Sequence, residues 1–207
     1  MYIITHSFYP MYEAKTFSIP ELKGISQKTI EEHVKLYQGY VKHTNLINDV
    51  VKMYSGVDDE GGKYTLSEAT RRFSFEFNGM RNHENYFSVL EGGASALPED
   101  SALYKKIIEN FGSFESWLSR FKTIASTRGV GWAMLYYDPQ TSSLVSSWVD
   151  EQHLGQLNGL PLVLGLDMWE HSFVADYQPS GKKQYIEDFF ANLNWQKVNE
   201  IFESVQK

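Results

Sequence analysis

From Ser26 onward, apolar side chains recur at three- and four-residue steps through Ile30, Val34, Tyr37 and Val41. That spacing is one face of an α-helix, and Ser26 is a residue type that caps one. Asp58-Asp-Glu-Gly-Gly-Lys63 then breaks the pattern with charge and two adjacent glycines, which predicts a loop. A second long helix is expected from about Ser67, with Phe73, Phe77, Met80 and Phe87 along one face. Two long helices separated by a loop predict an antiparallel hairpin. Ahead of them, Pro10, Pro20 and Gly24 predict an extended lead-in over residues 10–25.

The grammar changes at Glu91-Gly-Gly-Ala-Ser-Ala-Leu-Pro98. Two short helices are expected at 101–111 and 114–126, each preceded by a serine. Gly129 to Tyr137 reads as a strand, Asp138-Pro-Gln-Thr141 as a turn, and Ser143 to Val149 as the antiparallel partner. The apolar run Leu160 to Leu166 has strand length and leads into Asp167-Met-Trp-Glu-His171. Two helices close the chain, at 182–193 and 195–205. The expected class is α+β: a helical hairpin domain over 1–91, then a domain over 92–207 with a small three-stranded antiparallel sheet flanked by helices, any metal site lying between them.

Composition narrows the function. Of 207 residues, 31 are aromatic and 22% are charged, which excludes a disordered chain. No apolar run approaches the length of a membrane span, and the first ten residues have neither the basic nor the apolar region of a secretory leader. With no cysteine, disulfides, thiolate metal sites and cysteine nucleophiles are impossible. The net charge of −7 disfavours a nucleic-acid partner. A cytoplasmic globular protein is expected.

Six histidines remain to be weighed. His6 and His43 fall in polar surroundings and read as surface residues. His33 lies on the stripe between Ile30 and Tyr37, and His83 sits between Met80 and Phe87, so each helix of the hairpin turns one imidazole inward. A buried imidazole needs a partner for each ring nitrogen. Asp167 ends a buried apolar strand, where a carboxylate is costly unless paired, and His171 four residues later can face the same point. Three imidazoles and one carboxylate suit iron or manganese; zinc with an open position and a two-histidine, one-carboxylate iron site are generic competitors.

Several segments resemble the iron/manganese superoxide dismutase family, in the family's order. Ile25-Ser-Gln-Lys-Thr-Ile-Glu-Glu-His33 with Tyr40-Val41 is similar to its first ligand helix, and Asn82-His83 to its second ligand segment. Phe111-Gly-Ser-Phe-Glu115 and Gly129-Val-Gly-Trp132 fit as well. Asp167-Met-Trp-Glu-His171, followed by Asp176-Tyr177 and Asn194-Trp195, resembles the C-terminal signature. The resemblance implies one iron or manganese ion per subunit, held by His33, His83, Asp167 and His171 and completed by water or hydroxide, which cycles between two oxidation states as superoxide is converted to oxygen and hydrogen peroxide. It implies that Tyr40, about 20° from His33 on a helical wheel, lines the substrate channel and relays protons. Trp132 and Trp169 would wall the site, and Glu170 would cross a two-fold interface to His171 of the partner subunit in a homodimer.

The resemblance leaves the metal open. Iron-type members often carry a glutamine four residues before the second histidine, where this chain has Gly79; manganese-type members have glycine there and supply the glutamine from the sheet region, and some members of relaxed preference have histidine in that region. Here Gln152-His153 offers both, with His153 favoured as donor to the bound solvent and Gln152 as runner-up. Gly165 resembles manganese-type sequences. Other positions depart from the pattern. The His33–Tyr40 spacing is one residue short, as a missing helical bulge would make it. Tyr37 stands near a usual gateway histidine, and Val174 replaces a usual tyrosine. The customary arginine after Asp176-Tyr177 is absent, which leaves Lys35 and Arg81 as candidates for attracting superoxide. Two alternatives stay open: a catalytically inactive structural relative of the fold, and a non-haem iron enzyme acting on another substrate.

Overall fold

The computed structural model describes residues 10–206; His6 and the start of the chain lie outside the described residues. Helix α1 spans Gln27–Tyr54 and α2 spans Glu60–Ser88, packed as an antiparallel pair. Ser26 caps α1 by accepting from the Thr29 N–H, satisfying a donor the first turn would otherwise leave free. The α-helix is continuous between His33 and Tyr40, so the one-residue shortening is absorbed by an unbroken helix without a bulge.

The second helix begins seven residues earlier than Ser67. Asp59 is its cap, accepting from the Gly62 N–H at 2.9 Å. Gly61 and Gly62, which the pattern places in a loop, form its first turn. The glycine at 62 is a packing requirement: a Cβ there would stand 2.1 Å from a methyl of Val57. A breaker reading fails because the cap and this close approach outweigh the modest helix cost of glycine.

The lead-in is free of helix and strand and works as a strap. Tyr12 exchanges two backbone hydrogen bonds with the Asn45 amide on α1, and the Ser18 N–H donates to Glu91 beyond α2. The Lys23 N–H donates to Asn192, and the Asn192 amide donates back to the Lys23 carbonyl. These bonds pair backbone groups that no regular element satisfies.

After the break come α3 (Ala102–Phe111) and α4 (Phe114–Ala125), capped by Ser101 and Ser113. Strands β1 (Gly131–Asp138), β2 (Ser143–Asp150) and β3 (Leu162–Asp167) form an antiparallel sheet with β1 in the centre. Every residue of β1 from Gly131 to Tyr137 is buried, as a strand covered on both faces requires. The register sets Trp132 opposite Asp167 and Val149, so an indole and the strand-end carboxylate emerge at the same end of the sheet. A 3₁₀ turn (Glu170–Ser172), a short α5 (Val174–Tyr177), a second 3₁₀ turn (Pro179–Gly181), α6 (Lys182–Asn192) and α7 (Trp195–Val205) complete the α+β fold. The core is aromatic-rich, with Trp117, Trp132, Tyr86, Phe121, Phe189 and Phe202 fully buried; burying such a side chain contributes about 1.5–3 kcal/mol.

Candidate metal centre

Four elements each deliver one donor. His33 projects from α1, His83 from α2, Asp167 from the last position of β3, and His171 from the 3₁₀ turn. One donor atom from each lies within 4.8 Å of all the others. The Nε2 atoms of His33, His83 and His171 stand 3.1, 3.4 and 3.1 Å from Asp167 Oδ2. His33, His83 and Asp167 are buried, while the His171 side chain is 25% exposed.

The donor chemistry fits a divalent or trivalent cation. His83 Nδ1 lies 2.6 Å from the Gly79 carbonyl, an acceptor only, so Nδ1 carries the proton and Nε2 presents a lone pair. That Nε2 is buried without a hydrogen-bond partner among the described residues. Burial first, and then the neighbouring His33, push the His83 imidazole down to about 3, so it is neutral and free to ligate. Burial alone would raise the Asp167 carboxyl; His171 and His33 outweigh it and hold the group below the usual carboxylate range. A buried carboxylate facing His33 and His83, whose charged forms burial disfavours, is short of counter-charge, which a cation supplies.

The surroundings fix these donors. Asp167 Oδ1 accepts from the Trp169 N–H at 2.8 Å, and its carbonyl accepts from Tyr185 at 3.0 Å and Ser172 at 3.1 Å. Trp132 meets His83 edge-on at 5.1 Å, Phe87 packs on His33, and Trp169 stacks on His171. Trp132 and Trp169 thus lie against the rings of His83 and His171.

A hydrogen-bond chain runs beside it. The Trp132 indole donates to Gln152 Oε1 at 2.9 Å, and Gln152 Nε2 donates to the Tyr40 hydroxyl at 2.9 Å. An indole N–H can only donate, which fixes the amide's orientation and leaves the Tyr40 proton free to point elsewhere. Gln152 is fully buried, and its backbone carbonyl is held by Asn82. The resemblance favours His153 as donor to the bound solvent, with Gln152 as runner-up; of the two, it is Gln152 that links Trp132 and Tyr40. Glu151, at φ 51°, turns the chain so that Gln152 points inward, whereas the His153 ring packs against Phe75 at 5.7 Å. Either side chain can accept from an indole and donate to a phenol, so chemistry alone does not separate them.

Gly79 has a direct reason to lack a side chain: a Cβ there would lie 2.5 Å from the Tyr40 ring. Tyr40 and His83 pack at 5.1 Å. Burial first, then the charges of Asp167 and Glu76, raise the Tyr40 phenol, so it keeps its proton at neutral pH. Tyr40 and Trp169 also line a cavity of about 330 Å³ with Leu36, Gly39, His43, Arg72, Phe75 and Glu76. None of the four donors lines it.

Lys35 and Arg81 stand elsewhere. Lys35 pairs with Glu32 and faces a separate groove beside Ile30 and Val34. Arg81 pairs with Glu84 in a cleft with Lys15, Asn85 and Tyr136. Tyr37 is fully buried, its hydroxyl accepting from the Lys15 N–H and donating to Glu84. Glu170 is exposed and Val174 half-buried.

Residues 99–201 match the family described as iron/manganese superoxide dismutases, C-terminal domain. The chain is 33% identical over 190 residues to "Superoxide dismutase [Fe]" of Aquifex aeolicus, covering 90% of this chain and 88% of that protein. It is 33% identical over 193 residues to "Superoxide dismutase [Fe]" of Cupriavidus metallidurans, covering 91% and 94%. To "Superoxide dismutase [Mn]" of Haloarcula marismortui it is 32% identical over 173 residues, covering 83% and 81%. With such similarity running through both the helical hairpin and the sheet half, the chain belongs to the iron/manganese superoxide dismutase family.

Proposed function

We propose that this protein disproportionates superoxide into dioxygen and hydrogen peroxide at the centre formed by His33, His83, Asp167 and His171. The observation that carries the reading is the convergence of three imidazole Nε2 atoms on one carboxylate oxygen, with the His83 nitrogen buried and unpartnered. A bound iron or manganese ion would supply the electron exchange, taking an electron from one superoxide and returning it to the next. Hydrogen peroxide formation also needs two protons, and here the chain's own residues act. Gln152 occupies the Tyr40 oxygen from one side, so the phenolic proton is directed away from the amide. Tyr40 lines the neighbouring cavity, from which a small anion would approach its hydroxyl. Trp132 anchors Gln152 and Trp169 stacks on His171, which together shield the donors, His171 least of all, from bulk water.

In this reading residues 1–91 and 92–207 are two domains that contribute two donors each. The chain works as a homodimer, with Glu170 reaching His171 of the partner subunit. In support, Glu170 is exposed beside the one donor that is partly accessible, and His171 Nδ1 makes no hydrogen bond among the described residues. No described helix is long and apolar enough to cross a membrane, and a cytoplasmic location is consistent with the cysteine-free composition.

Loading the apoprotein separately with iron and manganese, then measuring metal content and dismutation per bound ion, tests the reading. One ion per chain with rapid dismutation by at least one metal is expected. Full loading without activity would favour the inactive structural relative. Activity on an organic substrate would need room beside the donors, whereas the cavity is bordered by Tyr40 and Trp169 and not by the ligands.

A further inference from the structure

Superoxide is an anion and the chain carries a net charge of −7, so some local positive charge must oppose the general repulsion. The two lysine and arginine positions that the sequence offers for this task face other surfaces. Of the residues lining the cavity shared by Tyr40 and Trp169, only Arg72 carries a permanent positive charge. It lies on α2 three residues before Phe75, and its guanidinium sits 3.5 Å above the Phe75 ring. Its Nε donates to Glu76 Oε1 at 2.9 Å. Two contacts therefore hold the group in place, while its side chain remains 49% exposed. Among the described residues the terminal guanidinium nitrogens make no hydrogen bond, so they remain available to an incoming anion.

Glu76 makes the position more demanding. Its carboxylate is buried beside the same cavity and acts on the Tyr40 hydroxyl. Without a counter-charge it would repel an approaching anion. His43 reaches it only at 3.8 Å, from a half-exposed position. On the reading of the centre as a superoxide dismutase, we propose that Arg72 is the positioning residue that draws superoxide into the cavity beside Tyr40, by offsetting Glu76 and leaving its outer nitrogens to the substrate. The proposal concerns capture of the anion and leaves electron transfer to the centre.

The test uses the metal-loaded protein and four variants: Arg72→Gln, Arg72→Lys, the pair Arg72→Gln with Glu76→Gln, and Lys105→Gln as a control. Lys105 is exposed on α3 and does not line the cavity, so its loss changes net charge equally. Three quantities are read: kcat/KM for superoxide, its dependence on ionic strength, and the dissociation constant of azide measured spectroscopically on the iron-loaded protein. Expected for Arg72→Gln are full metal content, a kcat/KM about tenfold lower, a shallower fall with added salt, and weaker azide binding. Arg72→Lys should retain most of each, and the pair should recover part of the loss, because the unpaired carboxylate is gone as well. The pair also guards against misfolding caused by a buried Glu76 left alone. Arg72→Gln equal to wild type and to Lys105→Gln in all three readouts would overturn the role of Arg72 alone. A wild type that loads metal and leaves superoxide untouched would overturn the dismutase reading and this inference together.

Discussion

The four-donor centre and the cavity beside it both draw on α1, α2 and the stretch at the end of β3, yet they are held by different means. At the centre each group is constrained from several sides. Asp167 has both carboxylate oxygens and its carbonyl engaged, and His83 is clamped between the Gly79 carbonyl, the Tyr40 ring and the Trp132 indole. At the cavity the decisive groups, Arg72 and His43, are half exposed and touch few partners. A centre that must present lone pairs at fixed points requires burial and crowding. A mouth that admits a small anion and releases peroxide requires charge and access instead. Substitutions at the two places should therefore fail differently, in binding at the centre and in capture or proton supply around it.

The sharpest break is His83→Ala. It removes one donor from a buried set and should abolish tight metal binding and dismutation together; retained activity with one ion per chain would refute the ligand assignment. Acid should act at the same place more gradually. Because the native imidazole of His83 is pushed down to about 3 from an ordinary 6.5, the unfolded chain binds a proton there that the native chain refuses. Stability from this group is thus undiminished above about pH 6.5 and falls as pH drops towards about 3; metal retention should follow, since ligation needs the neutral ring. Denaturant titration of the apoprotein across that window, with metal analysis of the holoprotein, checks the sign. A stability that rises on acidification would contradict it.

Between centre and cavity, Gln152→Ala should lower turnover about 10–100-fold while leaving metal bound. It frees the Tyr40 hydroxyl and strands the buried Trp132 N–H, an unpaired donor that costs about 1–3 kcal/mol of stability. His153→Ala should change turnover less than Gln152→Ala by a wide margin, and the reverse order would restore His153 to the inner position. The mildest chemical change is Tyr40→Phe. It keeps the ring against Gly79 and removes only the hydroxyl, so metal content should stay full while turnover falls several-fold or product inhibition changes, as progress curves at high superoxide would show.

Much of this was legible along the chain. Ser26, the helical stripes and the two inward histidines depend on local spacing, and burial made each of them what the pattern expects. The start of α2 was hidden because paired glycines read as a breaker, while Val57, packed against Gly62, lies before the helix begins. The choice between Gln152 and His153 hinges on the backbone at Glu151, a left-handed residue that glycine-free sequence does not advertise. Arg72 escaped notice because nothing nearby in sequence marks it. Its meaning arises from Tyr40 and Trp169, brought to it from α1 and from beyond β3.

The donors' distribution along the chain also has a consequence for biosynthesis. His33 and His83 lie in the first half of the chain, but Asp167 ends the last strand of the sheet and His171 follows it. At about 5–20 residues per second of synthesis, the nascent polypeptide carries its two helical imidazoles for about 4–17 s before the carboxylate exists. During that interval the chain holds only two of the four donors. The strap closes later still, since the Lys23 backbone waits for Asn192. The full four-donor set therefore exists only once the chain has been made as far as His171, in its last quarter, and the hairpin alone cannot form it.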